Sequence, residues 1–138
     1  GQAEICAVPA ERMTAVFFAD LNHAGLDNQS AEFELGSAER FEAELAPART
    51  FCFYDEVEEL RRAGLIRGGS LDCAIVIRDG KPYRGRYHME AELARHKLLD
   101  FLGDLAILGR PVLALLTARG SGHRMHHRFI EELQKELE

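Results

Sequence analysis

The segment Arg95-His96-Lys97-Leu98-Leu99-Asp100-Phe101-Leu102-Gly103-Asp104 holds the residue types with the sharpest chemical use. At about 100° per residue on a helix, His96, Asp100 and Asp104 fall within an arc of about 80°. An imidazole nitrogen and a carboxylate oxygen one turn apart can reach the same metal ion. Both are ordinary zinc ligands at about 2.0–2.2 Å. Lys97 projects beside them, and Leu98, Leu99, Phe101, Leu102 and Leu105 make much of the remaining circumference apolar. By spacing alone, the plainer reading of this stripe is the solvated face of an amphipathic helix.

Ser121-Gly122-His123 stands at the predicted start of the last helix. The positive end of a helix lowers a histidine's pKa, and a carboxylate such as Asp104 would raise it and orient the ring. Opposed influences of that kind suit a general acid near neutral pH. The plainer alternative is a polar helix-start residue. His126 and His127 are read as structural or surface residues, and no spacing recommends His88, His126 or His127 as a metal ligand. A third stretch, Ala48-Arg49-Thr50-Phe51-Cys52-Phe53, sets a hydroxyl beside alternating aromatics. It reads either as a polar head and apolar wall for an amphiphilic ligand or, more plainly, as a core strand.

The elements that must position these residues follow from periodicity. Residues 13–21 read as a buried strand, and 30–35 alternate, with Ala31, Phe33 and Leu35 on one face, as in an antiparallel neighbour. Ser37 caps a short helix that Pro47 stops. Thr50–Phe53 is a strand end, and Asp55 with Glu58 opens a second helix in the manner of a capping box. Gly64 suits that helix's left-handed end. The span 64–88 holds the apolar run 73–77 and an Asp79-Gly80 turn. A long helix is expected over Met89–Leu108, a strand over Val112–Ala118, and a final helix with Met125, Phe129, Ile130, Leu133 and Leu137 at helical spacing. The expectation is an α+β fold over 1–138: a two-layer sandwich, a mixed β-sheet with helices packed on one face, plus a small strand-rich insertion at about 64–88.

With 46% hydrophobic and 29% charged residues, the 138-residue chain has the make-up of a globular domain rather than a disordered one. Its net charge of -6 argues against general nucleic-acid binding. No apolar run approaches the ~20 residues of a membrane span. The chain opens Gly1-Gln2 and shows no basic segment followed by an apolar stretch, so a cytoplasmic fragment of a longer protein is expected. Cys6, Cys52 and Cys73 lack metal-type spacing and read as buried, reduced thiols.

Read in order, Asp20-Leu21-Asn22-His23 with Asp27, Ala48-Arg49-Thr50-Phe51, Gly68-Gly69-Ser70-Leu71-Asp72-Cys73-Ala74-Ile75-Val76, Arg95-His96-Lys97 through Asp100, Gly103-Asp104 and Ser121-Gly122-His123 form a specific set. Together they resemble the second, C-terminal domain of the UDP-3-O-acyl-N-acetylglucosamine deacetylase family of lipid A biosynthesis. That resemblance implies a Zn2+ enzyme that releases acetate from an acylated UDP-sugar. It implies His96 and Asp100 as zinc ligands, His123 as general acid and Asp104 as its supporting carboxylate. It implies Thr50 as a hydroxyl at the amide oxyanion, with Lys97 and Phe51 beside the substrate. Ile66, Leu71 and Ala74 would line an apolar passage for the acyl chain.

The family takes its third zinc ligand, a histidine, and its general-base glutamate from an N-terminal domain. The missing N-terminal deacetylase domain is therefore the expected partner, and this chain by itself is expected to be inactive or weakly active. Two other functions are compatible with the sequence. One is a non-catalytic acyl-chain or acyl-sugar binding module; the other is a scaffold that dimerises through a former interface.

Overall fold

Alternation of large and small inward residues organises the main sheet. The computed structural model describes residues 2–23, 25–64 and 73–137. β1 (Glu4–Pro9), β2 (Thr14–Ala19), β3 (Gln29–Glu34) and β7 (Ala114–Arg119) form a four-stranded sheet in the order β1-β7-β2-β3. β2 runs antiparallel to β3 and parallel to β7, so the sheet is mixed. Across it, Phe17 lies between Ala31 and Ala118, and Ala15 between Phe33 and Leu116. A bulky ring beside two alanines, alternating with the reverse, makes a ridged surface that helices can fill without voids. All six of these side chains are buried.

Helix α3 (Glu92–Leu105) supplies the complement. Ala94, Leu98, Phe101, Leu102 and Leu105 recur at helical spacing and join the sheet's inner face in one core, together with Ile130 from α4 (His123–Leu137). The expected helix began at Met89, but the regular helix starts three residues later. Glu92 turns its carboxylate back to accept from the His88 N–H at 2.7 Å, and Ala91 is left-handed at φ 49°, which holds the preceding residues in a turn. Beyond Leu105 the chain tightens into a 3-10 turn over Ala106–Leu108, and Gly109 closes it.

The strand-rich segment is a second sheet rather than a bare insertion. β4 (Thr50–Phe53) pairs parallel with β5 (Ala74–Arg78), which turns at Asp79-Gly80 into β6 (Lys81–Pro82). A parallel pair needs a crossover, and α2 (Tyr54–Arg62) lies in it. The start of α2 corrects the expected Asp55 cap: Phe53 precedes the helix and its N–H donates to Glu56 Oε2 at 3.2 Å. Gly80 admits no side chain, since a Cβ there would lie 2.1 Å from the Gly25 oxygen. That contact docks the loop after β2 onto the small sheet. α1 (Ala38–Glu44) begins as expected, with Ser37 accepting from the Arg40 N–H.

Two further expectations change. β1 went unforeseen, as an edge strand whose Cys6 and Val8 are exposed while Ile5 and Ala7 pack toward the helices. The thiols of Cys6 and Cys73 are exposed rather than buried. Among the described residues, no helix is long and apolar enough to cross a membrane.

Candidate metal and proton-transfer site

The expected stripe on α3 lines one side of a polar seam between α3 and the start of α4. Getting His123 there depends on the turn out of β7. Gly120 is left-handed at φ 54°, and its N–H donates to the Phe18 carbonyl at the end of β2. Arg119 donates to both carboxylate oxygens of Asp20, which ties the ends of the two strands together. Ser121 is thereby turned inward and buried, and His123 begins α4 with its side chain 62% exposed.

On the facing helix, His96 Nδ1 lies 3.0 Å from the Ala48 carbonyl oxygen. A carbonyl only accepts, so Nδ1 carries the proton, and in the neutral ring Nε2 is left with a lone pair. That nitrogen faces Asp100 Oδ1 at 3.5 Å. Two acceptors turned toward each other repel unless a positive centre, a proton or a metal ion, lies between them. The separation exceeds the ~2.7–2.9 Å of a charge-assisted hydrogen bond. It matches the ~3.3–3.6 Å edge of a tetrahedron with zinc–ligand bonds of about 2.0–2.2 Å. The other oxygen, Asp100 Oδ2, faces His123 Nε2 at 3.9 Å. The donor set and the carbonyl that orients the imidazole thus fit a divalent metal of the zinc type.

Asp104, one turn further along α3, binds differently. Its Oδ2 lies 2.7 Å from Nδ1 of His123 and 2.7 Å from Nδ1 of His126. Its Oδ1 lies 3.4 Å from His127 Nε2. Burial would raise the Asp104 pKa, but hydrogen bonds from His123 and His126 and their positive character outweigh it and hold the carboxyl below its ordinary value. His126 is fully buried, and its Nε2 sits 3.0 Å from Ser121 Oγ. Burial depresses its pKa, with Asp104 opposing and the nearby charges of Lys97 and His123 reinforcing. Ligand atoms of Asp104, His123 and His126 all lie within 4.8 Å of one another, so by distance this group could hold a metal ion. The 2.7 Å spacings are those of hydrogen bonds, which fill the same lone pairs.

The remaining candidates are spread around this seam. Arg49 and Glu92 form a buried ion pair at 2.8 Å, and Glu92 Oε1 also accepts from the Arg49 N–H. The pair clamps the chain between Ala48, which orients His96, and Thr50, which opens β4 and is exposed. Ala74 is Thr50's register partner on β5. Phe51 is half-buried against Ile75, Ile77 and Leu93. Lys97 is half-buried with Nζ 5.9 Å from the Phe17 ring centroid. Ile66 and Leu71 lie outside the described residues.

Sequence reasoning treated His126 as structural or surface, and it is the buried partner of Asp104. A signal existed: on α4 its helical angle falls inside the Phe129, Ile130 and Leu133 stripe.

The chain is similar throughout to one group of proteins. The family described as UDP-3-O-acyl N-acetylglycosamine deacetylase matches residues 1–135. The UDP-3-O-acyl-N-acetylglucosamine deacetylase of Anaeromyxobacter sp. (strain Fw109-5) is 44% identical over 126 residues, covering 91% of this chain and 41% of that protein. The enzyme of the same name from Anaeromyxobacter dehalogenans (strain 2CP-C) is 40% identical over equal shares. That of Myxococcus xanthus (strain DK1622) is 33% identical over 137 residues, 99% of this chain and 43% of that protein. The chain therefore spans about two-fifths of the length of the relatives it matches.

Proposed function

The chain belongs to the UDP-3-O-acyl N-acetylglycosamine deacetylase family, and from that premise we propose that it is the C-terminal half of a zinc-dependent deacetylase. Its substrate is UDP-3-O-acyl-N-acetylglucosamine, its setting the cytoplasm, and its missing partner the N-terminal domain. The observation that carries this reading is Asp100, whose two oxygens face the Nε2 atoms of His96 and His123. His96 and Asp100 would hold the zinc. The chemistry zinc supplies when bound is Lewis acidity, which polarises an amide carbonyl and acidifies water.

The chain's own residues do the rest. Thr50 donates its hydroxyl to the amide oxygen as negative charge gathers there. His123, protonated on Nε2, gives that proton to the amide nitrogen as the C–N bond breaks, so the amine leaves neutral. Asp104 holds His123 through Nδ1 and steadies its positive charge. Lys97 adds positive potential at the same helix edge, and Phe51 supplies an aromatic wall. Ala74, with Ile66 and Leu71, takes the acyl chain out of water, which favours acylated sugars by ~25 cal/mol per Å² of apolar surface.

Two measurements test this. The chain alone is expected to be inactive or nearly so, and to regain deacetylation when the N-terminal domain is added in trans. A well-docked pair that stays inactive with zinc present would defeat the reading. Tight binding of a fatty-acyl ligand without metal, unchanged in His96→Ala, would instead favour a non-catalytic binding module.

A further inference from the structure

The Asp104 carboxylate is set by more than the histidine it serves. His123 is the exposed partner and His126 the buried one, and both meet the same oxygen, Oδ2, at 2.7 Å. An ionised carboxylate accepts only, so both Nδ1 atoms donate. With Nδ1 committed, His126 Nε2 must accept, and the hydroxyl of buried Ser121 lies 3.0 Å from it. The ring itself has little freedom. It packs 4.9 Å from the Phe101 ring and edge-on to Phe17 at 6.3 Å. Every polar atom of His126 is therefore satisfied in one tautomer and one orientation, and the reversed tautomer would set a lone pair against the carboxylate.

We infer that His126, clamped by Ser121, is a positioning residue that aims Asp104 so that His123 carries its Nδ1 proton inward and turns Nε2 toward Asp100. A free neutral imidazole prefers the opposite tautomer, with the proton on Nε2. The Nδ1–H form of His123 must therefore be imposed, and Asp104 can impose it only if its oxygen is held in line. His126 supplies that hold from the buried side, where no water competes. The catalytic consequence rests on the deacetylase reading; the tautomer itself does not.

The test is long-range imidazole 1H–15N NMR of this chain at a pH where the 15N shifts show both rings neutral, run in an Asp100→Asn background so that no carboxylate faces His123 Nε2. The Nδ1–H form is expected to dominate at both His123 and His126. In His126→Leu the Nδ1–H fraction at His123 should fall several-fold. His126→Asn should restore it, because the amide nitrogen of Asn falls near the place of Nδ1. If His126→Leu does not fold, Ser121→Ala keeps the ring and loosens it, and should lower the same fraction by a smaller factor.

An unchanged His123 tautomer in folded His126→Leu or Ser121→Ala would overturn the inference, as would an Nε2–H ring at His126 in the unmodified chain. In the reconstituted two-domain pair, His126→Leu should lower kcat with KM little changed and His126→Asn should recover it. Tautomers as expected with every pair inactive would sink the deacetylase reading and leave the positioning role standing.

Discussion

The first turn and the second half of α3 each carry a buried or half-buried acid, Glu92 and Asp100, and the two are finished in opposite ways. At the N-terminal end, each Glu92 oxygen accepts twice: Oε1 from the N–H and Nε of Arg49, Oε2 from the other arm of the guanidinium and from the His88 N–H. Glu92 is 1% exposed, and nothing is left over for a ligand. Two turns later, Asp100 is 24% exposed in its side chain and faces two imidazole nitrogens at 3.5 and 3.9 Å. One of them, on His96, has its proton committed elsewhere. Saturation marks an anchor, whereas acceptors facing one another across a gap mark a place for a cation. Both acids lie on one rigid helix, so the anchor fixes the position from which the open site works.

The sharpest way to break that contrast is to remove the anchor. Glu92→Ala leaves the Arg49 guanidinium buried without its main partner, and breaking a buried pair in this way costs about 3–5 kcal/mol. Urea unfolding should read that loss as a lower midpoint. Asp100→Asn in the metal-free protein should cost under about 1 kcal/mol, since it removes no saturated contact. Equal losses in the two variants would erase the distinction between anchor and site.

A smaller effect sharpens the other half of the contrast. If Asp100 and His96 are a cation site, zinc at a hundred times its dissociation constant should raise the unfolding free energy by about 2.7 kcal/mol. His96→Ala and Asp100→Asn should each abolish most of that gain, while Glu92→Gln should keep it in whatever fraction folds. A gain that survives in His96→Ala would move the metal to the Asp104, His123 and His126 group, whose ligand atoms also converge.

How much of this was legible beforehand follows the range of the interactions. The apolar strand at β2, the Ala31 and Phe33 alternation of β3, the Ser37 cap, the Gly64 helix end and the apolar stripe of α3 are local patterns that the structure bears out. Leu35, expected on the same inner face, instead lies past the end of β3 and is exposed. The His96, Asp100, Asp104 edge was legible as geometry, whereas the role of Asp104 as the carboxylate beside His123 came with the family resemblance, and the structure sets the two 2.7 Å apart. What escaped was decided by partners far apart in the chain. Glu92 delays the start of α3 because Arg49, 43 residues away, fixes its carboxylate. His126 looked like one more helix residue because Asp104, 22 positions earlier, gives it a reason to be buried. Edge strand β1 alternates in burial, but its exposed face carries Cys6 and Val8, so the sequence is apolar on both faces and shows no polar–apolar period.

The gentlest test of the contrast is acid. Burial alone would raise the Glu92 pKa, but the bonds from the Arg49 side chain, the His88 and Arg49 N–H groups and the Arg49 charge outweigh it and hold the carboxyl below its ordinary value. Between the folded value and the unfolded one, the unfolded chain binds more protons, so the unfolding free energy must fall as pH falls. The stabilisation is fully present above about pH 4.5 and drains away as pH drops through the folded pKa, at no more than ~1.4 kcal/mol per pH unit for one such group. Asp104 is displaced in the same direction and adds to the slope. Glu92→Gln should therefore flatten the acid limb of a stability-against-pH curve, and Asp104→Asn should flatten it separately. A limb of unchanged steepness in Glu92→Gln would mean that the four bonds at the head of α3 do not distinguish the folded carboxylate from the unfolded one, and the anchor would lose its physical basis.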